Sequence, residues 1–220
     1  MKFFLDSAHV DEIDYALKMW DIDGITTNPR HVQVSGKPFL TVIREIADLV
    51  AGTEKPVSVE VNPHLDDSAI MVAEGEKLAA MSENFVIKLP ATEAGFKAVA
   101  DLADLGIRSN LTLVFSAAQA LQAMRMGAYF VSPFIGWKEA NGEEIFSFVS
   151  DVMSIRDIYA YDTEVIVAAV RNARQIIDAG ILGADIVTAG LGVYKDAFSH
   201  PYTADGLKKF QSFWDQTAYE

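Results

Sequence analysis

The stretch PVSVEVNPHLDDSAIMVAEGEKLAAMSENFVIKLP, residues 56–90, contains a strand pattern, a helix pattern and a second strand pattern in that order. Valine occupies every second position of PVSVEV (56–61), and FVIKLP (85–90) is apolar almost throughout, which is typical of a strand covered on both faces. Between them, residues 66–81 carry apolar side chains at helical spacings of three and four. This succession predicts a βαβ unit, in which the two strands are parallel.

The same succession recurs along almost the whole chain. The strand patterns cover residues 2–6, 24–28, 56–61, 85–90, 107–114, 129–136, 163–170 and 184–190. Helix patterns lie between them, and Ser116 and Gln119 have the spacing of a capping box that begins a helix after the fifth strand. Eight such units in 220 residues predict an α/β fold, a (β/α)₈ TIM barrel at the small end of the usual size range.

An open, doubly wound sheet is the alternative architecture. No G-x-G-x-x-G sequence follows the first strand, which argues against the dinucleotide-binding form of that fold. We expect a single barrel domain over residues 1–220 with an additional C-terminal helix at about 203–217. This helix is amphipathic and rich in aromatic residues, and it packs either on its own barrel or on a neighbouring subunit.

Composition excludes several classes of function. The chain has a formal net charge of −13, which argues against binding to nucleic acid or to anionic lipid. It has no cysteine, which excludes disulfides, thiolate metal sites and cysteine nucleophiles. No apolar run approaches the about 18 residues of a membrane span, and the N-terminus lacks the apolar region of a signal peptide. We therefore expect a cytoplasmic protein without a membrane segment.

Polar side chains occur near the ends of six consecutive predicted strands. In a TIM barrel, inward positions at the carboxyl ends of the strands build the active site. By the period-two alternation of strands, the candidates are Asp6, Thr26 with Asn28, Glu60, Lys88, Asn110 with Thr112, and Ser132 with Phe134. Because one such residue would mean little but six strands repeat the pattern, we predict a functional site at this end of the barrel.

Lys88 is the residue that suggests a chemistry. Lysine is almost never fully buried unless it is paired, yet Lys88 lies within an apolar strand pattern. A desolvated lysine amine can attack a carbonyl group to form an iminium ion, which then stabilises a carbanion on the neighbouring carbon. Asp6 and Glu60 can serve as acid and base in carbon–carbon bond cleavage. The four scattered histidines have no zinc-binding spacing, so we expect no metal.

Structural interpretations of the same residues remain open from the sequence. Asp6 is a candidate helix N-cap, and Asn28 before Pro29 fits simple turn chemistry. Glu60 and Lys88 can form a structural salt bridge, although such a pair recovers little of a desolvation cost of several kcal/mol per ion.

These residues, in this order, resemble the transaldolase family, and more closely its small subfamily of short transaldolases and fructose-6-phosphate aldolases. The resemblance runs from about residue 1 to residue 215. Its most specific pieces are FFLDSA (3–8), GITTNP (24–29), VIKLPAT (86–92), SNLTLVFSAAQA (109–120) and SPFIG (132–136).

The resemblance implies a role for each matched residue. Lys88 forms the Schiff base, and Asp6 takes the proton from the C4 hydroxyl of the donor. Glu60, with a water held by Thr112, moves protons during imine formation. The implied substrate-binding residues are Thr26, Asn28, Asn110, Ser132, Phe134 and Arg171. The resemblance further implies sugar phosphate substrates, no metal or organic cofactor, and a ring-like homo-oligomer, a pentamer or decamer.

Two positions separate the subfamilies. Transaldolases have glutamate and phenylalanine where this chain has Glu60 and Phe134, whereas the aldolases have glutamine and tyrosine. We therefore expect transfer of a dihydroxyacetone unit from fructose 6-phosphate or sedoheptulose 7-phosphate to an aldose phosphate, as in the pentose phosphate pathway. Release of free dihydroxyacetone is the alternative. A non-catalytic sugar-phosphate-binding barrel is the third hypothesis, in which Lys88 serves only as the partner of Glu60.

The phosphate-binding end departs from the family pattern. The family usually has arginine where this chain has Trp137, and serine, an aromatic residue and arginine where it has Ala169, Val170 and Arg171. Lys138 and Arg30 are candidates for the missing cation, or they are solvated surface charges.

Overall fold

The computed structural model describes residues 1–220 and contains eight strands that alternate with helices. The strands are β1 (Lys2–Asp6), β2 (Gly24–Thr26), β3 (Val57–Glu60), β4 (Phe85–Pro90), β5 (Ser109–Val114), β6 (Phe130–Pro133), β7 (Glu164–Val170) and β8 (Ile186–Ala189). The helices are α1 (Val10–Trp20), α2 (Pro29–Ser35), α3 (Phe39–Val50), α4 (Ser68–Ala79), α5 (Glu93–Asp104), α6 (Ala117–Arg125), α7 (Ile135–Ala140), α8 (Phe146–Tyr159), α9 (Ala173–Ile181), α10 (Leu191–Phe198) and α11 (Pro201–Trp214). None of them combines the length and apolarity that crossing a membrane requires.

The strands form one closed parallel barrel in sequence order, with β8 paired to β1. The predicted TIM barrel is therefore confirmed. At the closing seam, the buried hydroxyl of Tyr194 shares its single proton between two carbonyl acceptors, Phe4 in β1 at 2.9 Å and Val187 in β8 at 3.0 Å. This side chain from α10 thus ties together the two strands that are most distant in sequence.

Local sequence signals place the helix starts that follow the strands. Ser116 caps α6 in the predicted capping box with Gln119. Thr92 caps α5 and Asn172 caps α9 in the same general way, each accepting a hydrogen bond from the backbone three residues ahead. Such caps end the strand abruptly, so the loops at the carboxyl ends of these strands are short.

The alternation of side chains along each strand separates two apolar regions. Phe4, Val86, Phe130, Ile166 and Ile186 fill the inside of the barrel. A much larger cluster, which includes Phe85, Ile87 and Leu89 from β4, packs between the barrel and the surrounding helices. Since Lys88 shares its strand face with Val86, its side chain lies inside the barrel, above this apolar layer.

Gly95 is required by the close approach of α5 to the end of β4. An added Cβ would lie 1.9 Å from the carbonyl oxygen of Pro90 and 3.1 Å from its carbonyl carbon. We expect Gly95→Ala to lower the free energy of unfolding by about 3 kcal/mol, because a backbone carbonyl has to move. Chemical denaturation measures the change.

A matched control for this substitution lies in α10. Gly192 has no atom within 4 Å of its added Cβ, so Gly192→Ala should leave stability unchanged or raise it by up to about 1 kcal/mol. Equal unfolding free energies for Gly95→Ala and the unmodified chain would contradict the close-approach argument.

The C-terminal helix α11 begins at Pro201 and ends at Trp214, close to the predicted 203–217. It contains no buried residue. Its apolar side chains are largely exposed: Tyr202, Leu207, Phe210, Phe213 and Trp214. Packing of this helix on its own barrel, one of the two expected arrangements, is therefore not found.

Candidate active site

A cavity of about 490 Å³ opens at the carboxyl ends of the barrel strands. Every sequence-predicted site residue except Asn110 lines it. These residues are Asp6, Thr26, Asn28, Glu60, Lys88, Thr112, Ser132, Phe134 and Arg171. Side chains that are far apart in sequence meet here because all eight strands of the parallel barrel end on the same side.

Lys88 lies on the floor of this cavity and is only 3% exposed. Its Nζ donates to the backbone carbonyl oxygen of Thr27 at 3.0 Å and lies 3.5 Å from Oε2 of Glu60. Glu60 and Lys88 are register partners on adjacent strands, which fixes this pairing. The buried amine therefore has a carbonyl acceptor and a carboxylate, and it still faces the cavity.

Glu60 is a carboxyl group adapted to proton transfer. Burial raises the pKa of Glu60, and the neighbouring Lys88 charge opposes this shift only in part. A carboxyl whose pKa is raised toward the working pH can both accept and donate a proton. This residue is thus suited to the acid and base steps of imine chemistry at Lys88.

Asp6 has the opposite electrostatic character. Burial raises the pKa of Asp6, but a hydrogen bond from His31 and the charges of His31 and Lys88 outweigh that effect, so the pKa lies below its ordinary value. Oδ1 accepts from the hydroxyl of Thr26 at 2.8 Å, and Oδ2 lies 3.1 Å from Nε2 of His31. Asp6 is therefore an ionised carboxylate held from two sides. It is not a helix cap, since His9 occupies the N-cap position of α1.

Asn28 serves the local structure and also lines the cavity. Its Oδ1 accepts a hydrogen bond from the backbone of His31 at 3.0 Å and so caps α2. The turn interpretation of Asn28 is thus correct as far as its oxygen is concerned. Its amide nitrogen makes no hydrogen bond to the protein and remains available to a ligand.

Two hydroxyl-bearing residues differ in their surroundings. Thr112 Oγ1 is buried and has no hydrogen-bond partner, although buried hydroxyls almost always have one. A water or ligand atom in the cavity would satisfy it. Ser132 Oγ instead donates to Oδ1 of Asn110 at 2.8 Å.

Asn110 is not among the residues that line the cavity in this structure. It is completely buried next to Lys88 in the barrel register. Its Nδ2 donates to Oγ of Ser58 at 3.0 Å, and its Oδ1 accepts from Ser132. Because both ends of the amide are engaged, Asn110 holds Ser132 in place in this structure.

Strained backbone forms part of the cavity wall. Leu113 and Ala169 line the cavity with φ values of 58° and 59°, and the pairing of β5 and of β7 is irregular at these positions. Non-glycine residues in this conformation cost about 1–3 kcal/mol each and cluster at functional sites. Gly136 leaves space for the irregular backbone of β7 at Ala169, since an added Cβ on Gly136 would lie 2.0 Å from the Ala169 carbonyl oxygen.

Comparison with known proteins identifies the family of this chain. A family model described as Transaldolase/Fructose-6-phosphate aldolase matches residues 3–219. The chain belongs to this family. It is 54% identical to the 6-deoxy-6-sulfo-D-fructose transaldolase of Priestia megaterium, over 100% of this chain and 98% of that protein. It is 46% identical to a probable transaldolase of Desulfosudis oleivorans, over 97% of this chain and 98% of that protein.

A solved structure shares the fold at low sequence identity. The thiamine phosphate pyrophosphorylase from Pyrococcus furiosus superimposes with a TM-score of 0.64 over 89% of each chain, at 12% identity. This likeness concerns the barrel fold. Membership of the transaldolase family, by contrast, supports an enzyme that transfers a ketol group.

The outer end of the cavity carries two arginines. Arg171 and Arg30 line it, and Trp137 is 51% exposed at its edge. Lys138, the other candidate cation, does not line the cavity, because it pairs with Glu143 and lies over the ring of Phe148. Of the two candidates from the sequence, only Arg30 reaches this end.

An aromatic wall borders the same end of the cavity. The ring of Trp137 lies 5.9 Å from that of Phe134 and 5.7 Å from that of Phe115, and the two phenylalanines are 5.8 Å apart. These distances are within the favourable range for aromatic pairs. Trp137 therefore belongs to an aromatic cluster with Phe115 and Phe134, although half of its surface is exposed.

Three groups of the site were not identified from the sequence. These are the imidazole of His31, the hydroxyl of Thr188, which lies 2.6 Å from that of Thr26, and the backbone carbonyl of Thr27 that binds Lys88. His31 follows Asn28 by one helical turn, a signal that could have pointed to the cavity. The other two depend on strand register and on a backbone atom, which no residue pattern reveals.

Proposed function

We propose that this protein is a transaldolase that works through a Schiff base on Lys88. The observation that carries the proposal is the buried amine of Lys88, 3.5 Å from Glu60 at the floor of a cavity at the carboxyl end of the barrel.

The amine attacks the C2 carbonyl of a ketose donor, and water leaves as the iminium ion forms. Asp6 removes the C4 hydroxyl proton, the C3–C4 electron pair moves into the iminium, and an aldehyde is released. Addition of the remaining enamine to a second aldehyde and hydrolysis of the imine complete the transfer.

The remaining residues are assigned by position. Glu60 moves protons at the forming imine, with a water bound to the unpartnered hydroxyl of Thr112. Asn28 and Ser132 bind hydroxyl groups of the three-carbon unit, and Asn110 acts through Ser132. Thr26 orients Asp6 by the hydrogen bond described above.

Transfer is favoured over release of dihydroxyacetone. Glu60 and Phe134 stand where fructose-6-phosphate aldolases carry glutamine and tyrosine, and several curated relatives are named as transaldolases. We expect product formation from the donor to depend on an added aldose acceptor. Formation of free dihydroxyacetone at the same rate without acceptor would instead favour the aldolase alternative.

The cation-poor outer end suggests which anion the donor carries at C6. A phosphate monoester carries a charge of about −1.5 to −2 at neutral pH, whereas a sulfonate carries a single negative charge on three similar oxygens. With Trp137 in place of a family arginine, Arg171 and Arg30 match the lower charge better. The relative from Priestia megaterium is named for a sulfonated fructose. We therefore place 6-deoxy-6-sulfofructose first among donors, and fructose 6-phosphate and sedoheptulose 7-phosphate second.

The donor assignment predicts an effect of Trp137→Arg. We expect the kcat/KM of the unmodified chain to be higher with sulfofructose than with fructose 6-phosphate. Trp137→Arg should raise the kcat/KM for fructose 6-phosphate relative to that for sulfofructose by about tenfold or more. The reason is that a hydrogen bond to a charged group contributes about 1.5–3 kcal/mol. Steady-state assays with both donors measure this, with Trp137→Phe as the control that adds no cation. A preference of the unmodified chain for fructose 6-phosphate would contradict the sulfonate assignment and leave the Schiff-base mechanism untouched.

The exposed helix α11 supports a further part of the proposal. Its uncovered apolar side chains fit a contact with a neighbouring copy of the chain, as in the ring-like pentamer or decamer that the family resemblance implies. Light scattering on the full chain, compared with a variant that carries Phe210→Ser and Phe213→Ser, measures the oligomeric state.

A further inference from the structure

His31 is an ionisable residue of the cavity to which the mechanism above assigns no task. It lies in the first turn of α2, where its backbone N–H is fixed by Asn28. Its side chain is partly buried, and its Nε2 lies 3.1 Å from Oδ2 of Asp6. Its Nδ1 makes no hydrogen bond to the protein. The imidazole therefore touches the carboxylate that is to remove the C4 hydroxyl proton and keeps one nitrogen free to gain a proton.

The two protonation states of this imidazole act differently on Asp6. A neutral ring that carries its proton on Nε2 has a donor 3.1 Å from Oδ2, which orients the carboxylate and leaves lone pairs for the substrate proton. Protonation at Nδ1 gives an imidazolium ion against the carboxylate, and an adjacent positive charge makes a carboxylate a weaker base. Histidine is the side chain that most often serves proteins as a switch near neutral pH.

We propose that His31 is a positioning residue for Asp6, and that protonation of its Nδ1 turns off removal of the C4 hydroxyl proton. The inference rests on the proposed function, because it assigns a partner to the base of that mechanism. During cleavage the substrate proton moves to Asp6, the Nε2–H stays on His31, and the proton on Asp6 later passes to the carbonyl oxygen of the acceptor. No group is oxidised or reduced.

Other charged groups line the same cavity, and their effects on the pH profile can be separated. They are Glu60 from β3, Lys88 from β4, Arg30 beside His31 on α2, and Arg171 at the end of β7. The arginines stay charged at every relevant pH. Glu60 and Lys88 act in imine formation, so a change at either group affects any ketone that binds Lys88. His31 acts in C3–C4 cleavage, so a change at His31 affects only the donor.

Two reactions therefore distinguish His31 from its neighbours. The first is borohydride reduction of the imine between Lys88 and dihydroxyacetone, followed by intact mass, which needs no removal of a C4 hydroxyl proton. The second is cleavage and transfer with sulfofructose or fructose 6-phosphate as donor. Both are measured from pH 5 to pH 9 for the unmodified chain, His31→Gln and His31→Phe.

We expect the adduct to form equally fast in all three proteins. With the donor, kcat of the unmodified chain falls toward low pH. His31→Gln, which keeps an N–H donor but has no imidazole to protonate, loses the part of this fall that adduct formation does not share, and His31→Phe lowers kcat about ten- to hundredfold at every pH with little change in KM. Rescue by glutamine and not by phenylalanine is the result that a merely structural role would not produce.

Three outcomes would overturn the inference. If kcat of His31→Gln with the donor falls toward low pH as steeply as kcat of the unmodified chain, protonation of His31 has no role in cleavage. Equal losses of adduct formation and donor turnover in His31→Phe indicate a general structural defect. Absence of any adduct in the unmodified chain contradicts the proposed Schiff base, and the inference about His31 then fails as well. Failure of the proposed function is therefore distinguishable from failure of the inference about His31 alone.

Discussion

Replacing Lys88 by alanine is expected to abolish donor turnover and to remove the borohydride-dependent adduct. The loss should reach about 10⁴-fold or more, as for other enzymes that lose a covalent nucleophile. The structure supplies no substitute, because Lys88 is the only lysine that lines the cavity and Lys138 lies outside it. Steady-state rates with donor and acceptor, and intact mass after reduction in the presence of donor, measure the two effects.

The controls for this prediction address folding and lysine identity. Lys88→Met keeps an unbranched side chain in the strand and should fold like Lys88→Ala but remain equally inactive. Lys97→Ala removes an exposed lysine that pairs only with Asp101 and should retain both activity and adduct. An adduct on Lys88→Ala, or turnover near that of the unmodified chain, would exclude Lys88 as the nucleophile and revive the structural salt-bridge interpretation.

Asp6→Asn is expected to separate cleavage from imine formation. Turnover of the donor should fall by about 10²- to 10⁴-fold, the usual contribution of a general base. Formation of the reducible adduct with dihydroxyacetone should be unchanged, because that reaction needs Lys88, Glu60 and Thr112 but no base at C4. Single-turnover kinetics with the donor and mass analysis of the adduct give the two rates.

The control for Asp6→Asn is the same change at a carboxylate outside the cavity. Asp14 lies in α1, where it pairs with Lys18, so Asp14→Asn should leave both rates unchanged. If Asp6→Asn slowed adduct formation and donor cleavage by the same factor, Asp6 would act in imine formation or in folding and not as the base at C4.

The depressed pKa of Asp6 also has a consequence for stability. A carboxyl whose pKa is lower in the folded than in the unfolded chain stabilises the fold above its unfolded value of about 3.9, and this contribution is lost as pH falls through the folded pKa. The stability difference between the unmodified chain and Asp6→Asn should therefore become smaller below about pH 4.

The fold was predictable because each strand and helix carries its own periodicity. A strand that is apolar almost throughout, such as residues 85–90, needs helices to cover it, and helix patterns precede and follow it in the sequence. Eight such strands in a chain of this length close a barrel. Errors occurred at strand ends. The second strand was predicted to reach residue 28 but ends at Thr26, because Asn28 turns the chain and caps α2.

The site was predictable to the extent that it follows from strand alternation. Period two correctly placed Lys88, Glu60 and Thr112 on the inner face, and register made Glu60 and Lys88 neighbours. Alternation gives the face of a residue but not its depth along the barrel. Asn110 therefore lies under the cavity, engaged by Ser58 and Ser132, although it shares its face with Thr112.

The sequence by itself thus determined the barrel, the family and the inward lysine, since all three depend on local periodicity and on short motifs. Only the tertiary structure decided which groups surround each carboxylate. Burial raises the pKa of Glu60, while His31 and Lys88 overcome the same effect at Asp6. Such shifts depend on distances of a few ångströms between residues from different strands and helices, and the order of residues along one chain does not contain those distances.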